Sequence, residues 1–498
     1  MANVSVIGSG FAGLSAAACL AAQGHCVNVY EKNATPGGRA RTFSSNGYLF
    51  DMGPSWYWMP GVFERFFNEF GYQVPELYQL QLLDPAFEMV FGDEDKLTVP
   101  AEYSELRALF ESVEKGAASR LDRFMKEAAF KYELGIERLV YKPGLSVFEF
   151  ADTSLIKGLF RLQVFSSFSR HVNAHFTDPR LRALMEFPVL FLGASPSQTP
   201  ALYSLMNYAG LKLGTWYPKG GFGKLVEAMT RVASEQGANF HFNSPVQEIT
   251  ASGSLASGLV VDGRKISTDA VVATADYHHV ESSLLPGEYR NYGSQYWQKK
   301  TFAPSCLVFY VGLNKKIDRL RHHTLFFDED LAEHTRQIYH EPGWPAKPLF
   351  YVCCPSRTDA SVAPEGHENL FFLIPIAPGL DDNQETREEY FRVMLHRLEK
   401  HTGEKDLASH IDFRRGYCVS DFIQDYNAYK GNAYGLANTL RQTAMMKPKI
   451  TNRRIRNLFY AGQLTVPGPG VPPSIISGKL AAEQIQKYFK RVNNEVVI

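Results

Sequence analysis

Three glycines, Gly8, Gly10 and Gly13, stand at the spacing G-x-G-x-x-G, and an acid, Glu31, follows the third by 18 residues. A turn without Cβ atoms lets backbone approach a pyrophosphate, and the helix that follows turns unpaired N–H groups toward it. Glu31 is placed to accept hydrogen bonds from ribose hydroxyls, and its charge would repel a 2′-phosphate, which disfavours NADP. These residue types point to a dinucleotide. Gly37-Gly38-Arg39 comes next. Two glycines let chain lie against a cofactor, and Arg39 can reach phosphates or the flavin side, which favours FAD over NAD. The alternative for Arg39 is a surface ion pair. "GYLFDMGPSW", Gly47 to Trp56, reads as a strand and turn returning to the same ligand.

Such residues need a frame. Val4, Val6 and Ile7 begin a buried strand, Leu14 to Ala22 is an alanine-rich helix ended by Gly24, and Val27 and Val29 form a second strand that ends in Glu31. Strand, tight turn, helix, strand and acid are in register for a dinucleotide fold. Far along the chain, "FYAGQLTVPGPGVPPSIISGKLAA" packs four prolines and three glycines between Gly462 and Pro473. A strand-like run leads in and a helix-like run leads out. Pro472 and Pro473 suit a helix start, where missing N–H groups are not needed. Gly468 and Gly470 permit close approach to an aromatic ring.

The bulk numbers bound the rest. The chain has 498 residues, enough for two or three domains, and 45% of them are apolar. Lys+Arg and Asp+Glu both number 52, so net charge gives no argument for nucleic acid. The 13% aromatic content fits a large apolar contact surface or a large core. None of the six cysteines has a C-x-x-C or zinc-like spacing, which fits a reducing cytoplasmic compartment. No run of about 18 apolar residues predicts a membrane span, and the N-terminus lacks the basic region of a signal peptide.

The quoted motifs resemble those of the FAD-dependent amine-oxidase superfamily. "FDMGPS", "FAPSCLVFYVGLNKKIDRLRHHTLFF" and the long stretch from Arg161 to Met229 resemble the carotenoid desaturases of bacteria and fungi, the phytoene desaturase type. The resemblance covers nearly the whole chain. It implies an α/β fold: a discontinuous Rossmann-type FAD-binding domain from 1–105, 215–285 and 415–498, with an α+β substrate- and membrane-binding region made of a helical segment, 106–214, and a sheet segment, 286–414. Carried over by position, cofactor contacts would fall on Gly8, Ser9, Gly10, Ala12, Gly13, Glu31, Lys32, Gly38, Arg39, Pro54 and Ser55. The strand at "NSPVQEI" would bring Val246 to the adenine through its backbone, and the C-terminal turn would add Gly462, Gln463, Gly470, Val471 and Pro472. In this superfamily the C-terminal helix starts against the flavin, and its dipole would favour the reduced ring by about 1 kcal/mol. Many members carry a histidine before the first proline of that turn; here the position is Val466.

The implied activity is FAD-dependent desaturation of an acyclic, phytoene-type carotenoid, with a hydride passing to FAD and a proton leaving the neighbouring carbon. A hydroxycarotenoid 3,4-desaturase and a carotenoid isomerase are the enzymatic alternatives. Non-redox isoprenoid-escort proteins are the alternative of another class, against which the intact glycine triplet, Glu31 and Gly37-Gly38-Arg39 argue. Electrons would pass on to oxygen or a quinone. No base is identified and no metal is called for. His278-His279 and His322-His323 are sequence neighbours whose side chains are expected to diverge. A forty-carbon substrate resides in a bilayer, so a peripheral, monotopic enzyme is expected. Leu155, Ile156, Leu159, Phe160, Leu162 and Phe165, flanked by Lys157, Arg161 and Arg170, recur at near-helical spacing and would dock it, unless they form a core helix.

Overall fold

The computed structural model describes residues 1–146, 149, 166–190, 193–439 and 441–496. Its first organising element is a five-stranded sheet in the order Leu458–Tyr460, Ala270–Ala273, Asn3–Ile7, Cys26–Tyr30, Ala238–His241. Every pairing in it is parallel. Val4, Val6, Val27 and Val29 are wholly buried, as strands covered on both faces must be. The helix Phe11–Ala22 is buried along almost its whole length. It lies between the sheet, the helix Gly223–Glu235 and the C-terminal helix Val471–Val496. Its alanines and Gly13 let those neighbours come close.

A hairpin turning at Asp262-Gly263 joins Leu255–Val261 to Arg264–Ser267. Both turn residues have positive φ, 48° and 71°, as a tight two-residue hairpin requires.

A second sheet has seven strands, in the order Ile411–Tyr417, Ser305–Leu313, Glu368–Ile376, Phe350–Cys353, His323–Phe326, Phe87–Val90, Lys96–Val99. Only the contact of Phe87–Val90 with His323–Phe326 is parallel. The sheet is covered on both faces. Leu307, Phe309 and Val311 join a core with Phe391, Met394 and Leu398 of the helix Gln384–Thr402. Cys306, Val308 and Tyr310 join a core shared with the helices Tyr103–Val113, Ala117–Leu134 and Pro179–Leu190. Segment 1–105 therefore supplies strands to both sheets, and Ile411–Tyr417 straddles the expected boundary at 415. The chain crosses between sheets inside those segments rather than at their ends.

Among the described residues no helix is long and apolar enough to cross a membrane. The six apolar residues singled out for docking, with Lys157 and Arg161, lie outside the described residues. Just beyond them, in the helix Phe168–Asn173, Phe168 and Val172 are buried while Arg170 is exposed.

Candidate active site

The first strand ends at Ile7 and the chain turns at Gly8, whose φ is 98° and whose N–H donates to Tyr30 O at 2.8 Å. A Cβ on Gly13 would lie 2.0 Å from Gly8 O, so helix and strand approach as only glycine permits. Gly10 differs. Its φ of −69° and ψ of 177° suit any residue, and the nearest atom to a Cβ there is Gly38 Cα at 3.9 Å. Nothing in the chain crowds a Cβ at position 10, and the space in front of it is part of a cavity. Gly37 closes the cradle by donating its N–H to Ser9 O at 2.9 Å.

Glu31 is buried at the rim. One carboxylate oxygen accepts from Ser9 N and Ser9 Oγ, both at 2.8 Å, and the other from Asn33 N and Asn33 Nδ2, both at 2.9 Å. Two of these donors are side-chain groups that can rotate away, which frees acceptor positions for ribose hydroxyls. Lys32 reaches across to Gln424 O at 2.6 Å.

Arg39 is not the surface ion pair that its alternative reading allowed. Nη2 donates to the Asn432 carbonyl at 3.2 Å, the guanidinium sits 5.1 Å from the Tyr426 ring centroid, and Nε is buried without a partner. The Gln463 amide oxygen faces Nη2 at 3.0 Å. Burial pushes the guanidinium pKa down, and nearby Asp276 offsets this only in part. A buried cation with an unused donor fits an anionic group such as a pyrophosphate.

The C-terminal turn completes the wall. Gly462, Gly468 and Gly470 adopt φ of 113°, 137° and 112°. Gly462 N–H donates to Ser477 Oγ at 2.9 Å, and that hydroxyl donates to Val466 O at 2.7 Å. The helix begins at Val471, so Pro472 and Pro473 fall in its first turn. Ser15 Oγ donates to Ile475 O at 2.7 Å, which ties this helix to Phe11–Ala22. Two helix N-termini therefore converge on one space.

That space is one cavity of about 670 Å³. With the exception of Ser9 and Gly13, every residue carried over from the resemblance lines it: Gly8, Gly10, Ala12, Glu31, Lys32, Gly38, Arg39, Pro54, Ser55, Val246, Gly462, Gln463, Gly470, Val471 and Pro472. Ser9 and Gly13 act from behind, on Glu31 and on Gly8. The cavity continues into an apolar chamber walled by Phe187, Leu190 and Met206 on the helical side and Leu325, Phe371 and Leu373 on the sheet.

Residues 11–486 match the family described as flavin containing amine oxidoreductase. The chain belongs to that family. FAD is its cofactor, and the residues present fit it: an open Gly10, a buried Arg39 with an unused donor, and two helix N-termini. Among curated proteins, the chain is 40% identical to a carotenoid 3,4-desaturase of Haloarcula japonica, over 97% of this chain and 98% of the relative. It is 31% identical to a zeta-carotene-forming phytoene desaturase of Myxococcus xanthus, over 98% and 94%. These place the enzyme in the carotenoid-desaturase branch of the family. In fold it is similar to an oxidoreductase from Methanosarcina mazei, with a TM-score of 0.62 at 15% identity, over 97% of this chain and 100% of that one.

Sequence reasoning missed other residues of the enzyme's cavity. Asp276 follows the strand Ala270–Ala273 as Glu31 follows Cys26–Tyr30, at the carboxyl end of a parallel strand, and that placement was the available signal. Its carboxylate accepts from His279 N at 3.2 Å and Tyr429 N at 3.4 Å, and burial raises its pKa. His279 lines the cavity, its pKa pushed down to about 4 by burial, while His278 lies against Tyr429 with ring centroids 4.0 Å apart. The expected divergence fails at His322-His323, whose ring centroids are 4.5 Å apart. His322 stands just before the strand His323–Phe326, where side-chain alternation is not yet imposed.

Proposed function

We propose that the enzyme desaturates an acyclic carotenoid, removing two hydrogens from neighbouring carbons. The observation that supports this most is the continuity of the cavity from the glycine turn into an apolar chamber. A long hydrocarbon can enter the chamber with one C–C bond facing the cofactor end.

FAD, when bound, supplies a hydride acceptor. The chain supplies position and dryness. Glu31, Arg39 and the two helix N-termini would hold the ribose and pyrophosphate. The wall formed by Phe187, Leu325 and Phe371 keeps water from the reacting carbons. Tyr351 Oη donates to Ser55 Oγ at 3.0 Å, and this hydroxyl pair lines the cavity, where it offers a polar contact in an otherwise apolar wall.

The enzyme would meet its substrate as a peripheral protein on the cytoplasmic face of a membrane. At about 0.8 kcal/mol per buried CH₂, a forty-carbon chain does not leave the bilayer for water. Oxygen or a quinone would take the electrons onward. A second reading, desaturation at the 3,4 bond of an already unsaturated or hydroxylated carotenoid, is favoured by the 40% identity to the Haloarcula enzyme. Incubation of FAD-loaded protein in liposomes with phytoene, lycopene or a 1-hydroxycarotenoid tests both. A red-shifted product from phytoene supports the first reading, and turnover of the other two alone supports the second. No new chromophore from any of them, with oxygen and a quinone present, refutes the function.

A further inference from the structure

Behind the chamber wall, His323 and Cys353 face each other as a register pair of adjacent antiparallel strands. His322 joins them, and one ligand atom from each of the three residues lies within 4.8 Å of the other two. His323 is 0% exposed, Cys353 1% and His322 5%. Both imidazoles have Nδ1 engaged, His322 with Thr358 Oγ1 at 2.8 Å and His323 with Tyr351 Oη at 2.6 Å. Both Nε2 atoms are buried and unpartnered. An Nδ1–H donating to oxygen leaves a lone pair on Nε2, the arrangement that orients metal-binding histidines. Two buried unpaired nitrogens are unfavourable unless something satisfies them.

We propose that His322, His323 and Cys353 form a binding site for a zinc-like divalent cation in the wall of the substrate chamber. The nitrogen and sulfur donors suit Zn²⁺, and hard cations such as Mg²⁺ or Ca²⁺ prefer oxygen. Metal–ligand distances of about 2.0–2.3 Å place donors roughly 3.3–3.8 Å apart in a tetrahedral site, so the side chains close in by about 1 Å. Binding converts the Cys353 thiol to a thiolate and releases its proton to solvent; no electron moves. Burial, opposed by the Tyr351 hydroxyl and reinforced by Asp51, pushes that thiol up to about 12, and a bound cation acts in the opposite direction. The cation ties the strand His323–Phe326 to Phe350–Cys353, next to Tyr351 and its bond to Ser55. Three protein ligands leave a fourth position open.

Untagged, flavin-loaded enzyme is stripped with a chelator under reducing conditions, reloaded with Zn²⁺ or Co²⁺, and gel-filtered. One equivalent of zinc per chain is expected by mass spectrometry, with a thiolate-to-cobalt charge-transfer band in the Co²⁺ form. Cys353→Ala keeps a small apolar side chain; it should abolish the band and lower zinc at least tenfold while flavin content holds. Less than 0.1 equivalent of zinc in wild type, a Co²⁺ spectrum without the thiolate band, or full zinc retention in Cys353→Ala overturns the site. If Cys353→Ala does not fold, a rise in wild-type melting temperature on adding Zn²⁺ to stripped enzyme supports the site, and no change overturns it.

Discussion

A Cβ on Gly478 would sit 2.2 Å from the carbonyl oxygen of Ala12 and 2.9 Å from Ala16 N. The C-terminal helix meets the backbone of the first helix there, with the small Ser15 side chain as the other neighbour, and their N-termini reach the cavity together. Gly478→Ala should force them apart, destabilising the fold by about 1–3 kcal/mol as overpacking does. Calorimetry should show a lower melting point, and bound flavin per chain should fall in parallel. An alanine variant with wild-type stability and flavin content would contradict this account of the contact.

Gly10 and Gly13 should respond in opposite ways. Gly13→Ala places a methyl 2.0 Å from Gly8 O and is expected to cost about 3 kcal/mol or more, seen as loss of soluble, cooperatively melting protein. A Cβ at position 10 meets nothing in the chain nearer than Gly38 Cα at 3.9 Å, so, unlike Gly13→Ala, Gly10→Val is not expected to crowd the fold. It should fold with an apoprotein melting point near wild type and retain less than a tenth of the flavin. Normal flavin content in Gly10→Val would remove the pyrophosphate from this turn.

Arg39→Met removes a buried cation whose charge the chain leaves largely uncompensated. Flavin-free protein should keep or raise its melting temperature. FAD affinity should weaken by about 1.5–3 kcal/mol, roughly 10- to 150-fold, the range for hydrogen bonds to a charged group. Titration calorimetry of apoprotein measures it, and an unchanged Kd rules Arg39 out as a cofactor contact.

Asp51 caps the helix Gly223–Glu235, accepting from Phe222 N at 2.9 Å and Gly223 N at 3.3 Å. Burial nevertheless raises its pKa to about 7. Between about pH 4 and pH 7 the folded chain holds a proton here that the unfolded chain has lost, so stability from this group is greatest at low pH and falls as pH rises through 7. Asp51→Asn keeps an acceptor for the cap and cannot ionise. The stability of wild type minus that of Asp51→Asn should decline across that window and be flat above it. A difference that rises with pH, or does not change, refutes the assignment.

The cofactor end was legible in the sequence because its rules are local. Glycine spacing, an acid at a strand end and prolines at a helix start each act within a few residues. What stayed hidden depends on long-range register. Gly478 matters because of Ala12, far away in the chain. His323 and Cys353 meet through strand pairing that no short motif encodes. "FEMV", Phe87 to Val90, is too brief to announce which sheet it joins. The apolar chamber was expected as a class of surface, but its walls come from two segments that have no common pattern.

The five-stranded sheet also sets a clock. Its nucleotide turn is formed by the first 31 residues, while the edge strand Leu458–Tyr460 and the glycine that seats the last helix emerge more than four hundred residues later. A ribosome delivers them in that order. Through most of synthesis the turn stands half-walled and cannot grip its ligand. Chains that stop short of the C-terminal turn lack one wall of the cofactor cavity, so flavin retention is expected only once synthesis has reached the far side of the fold.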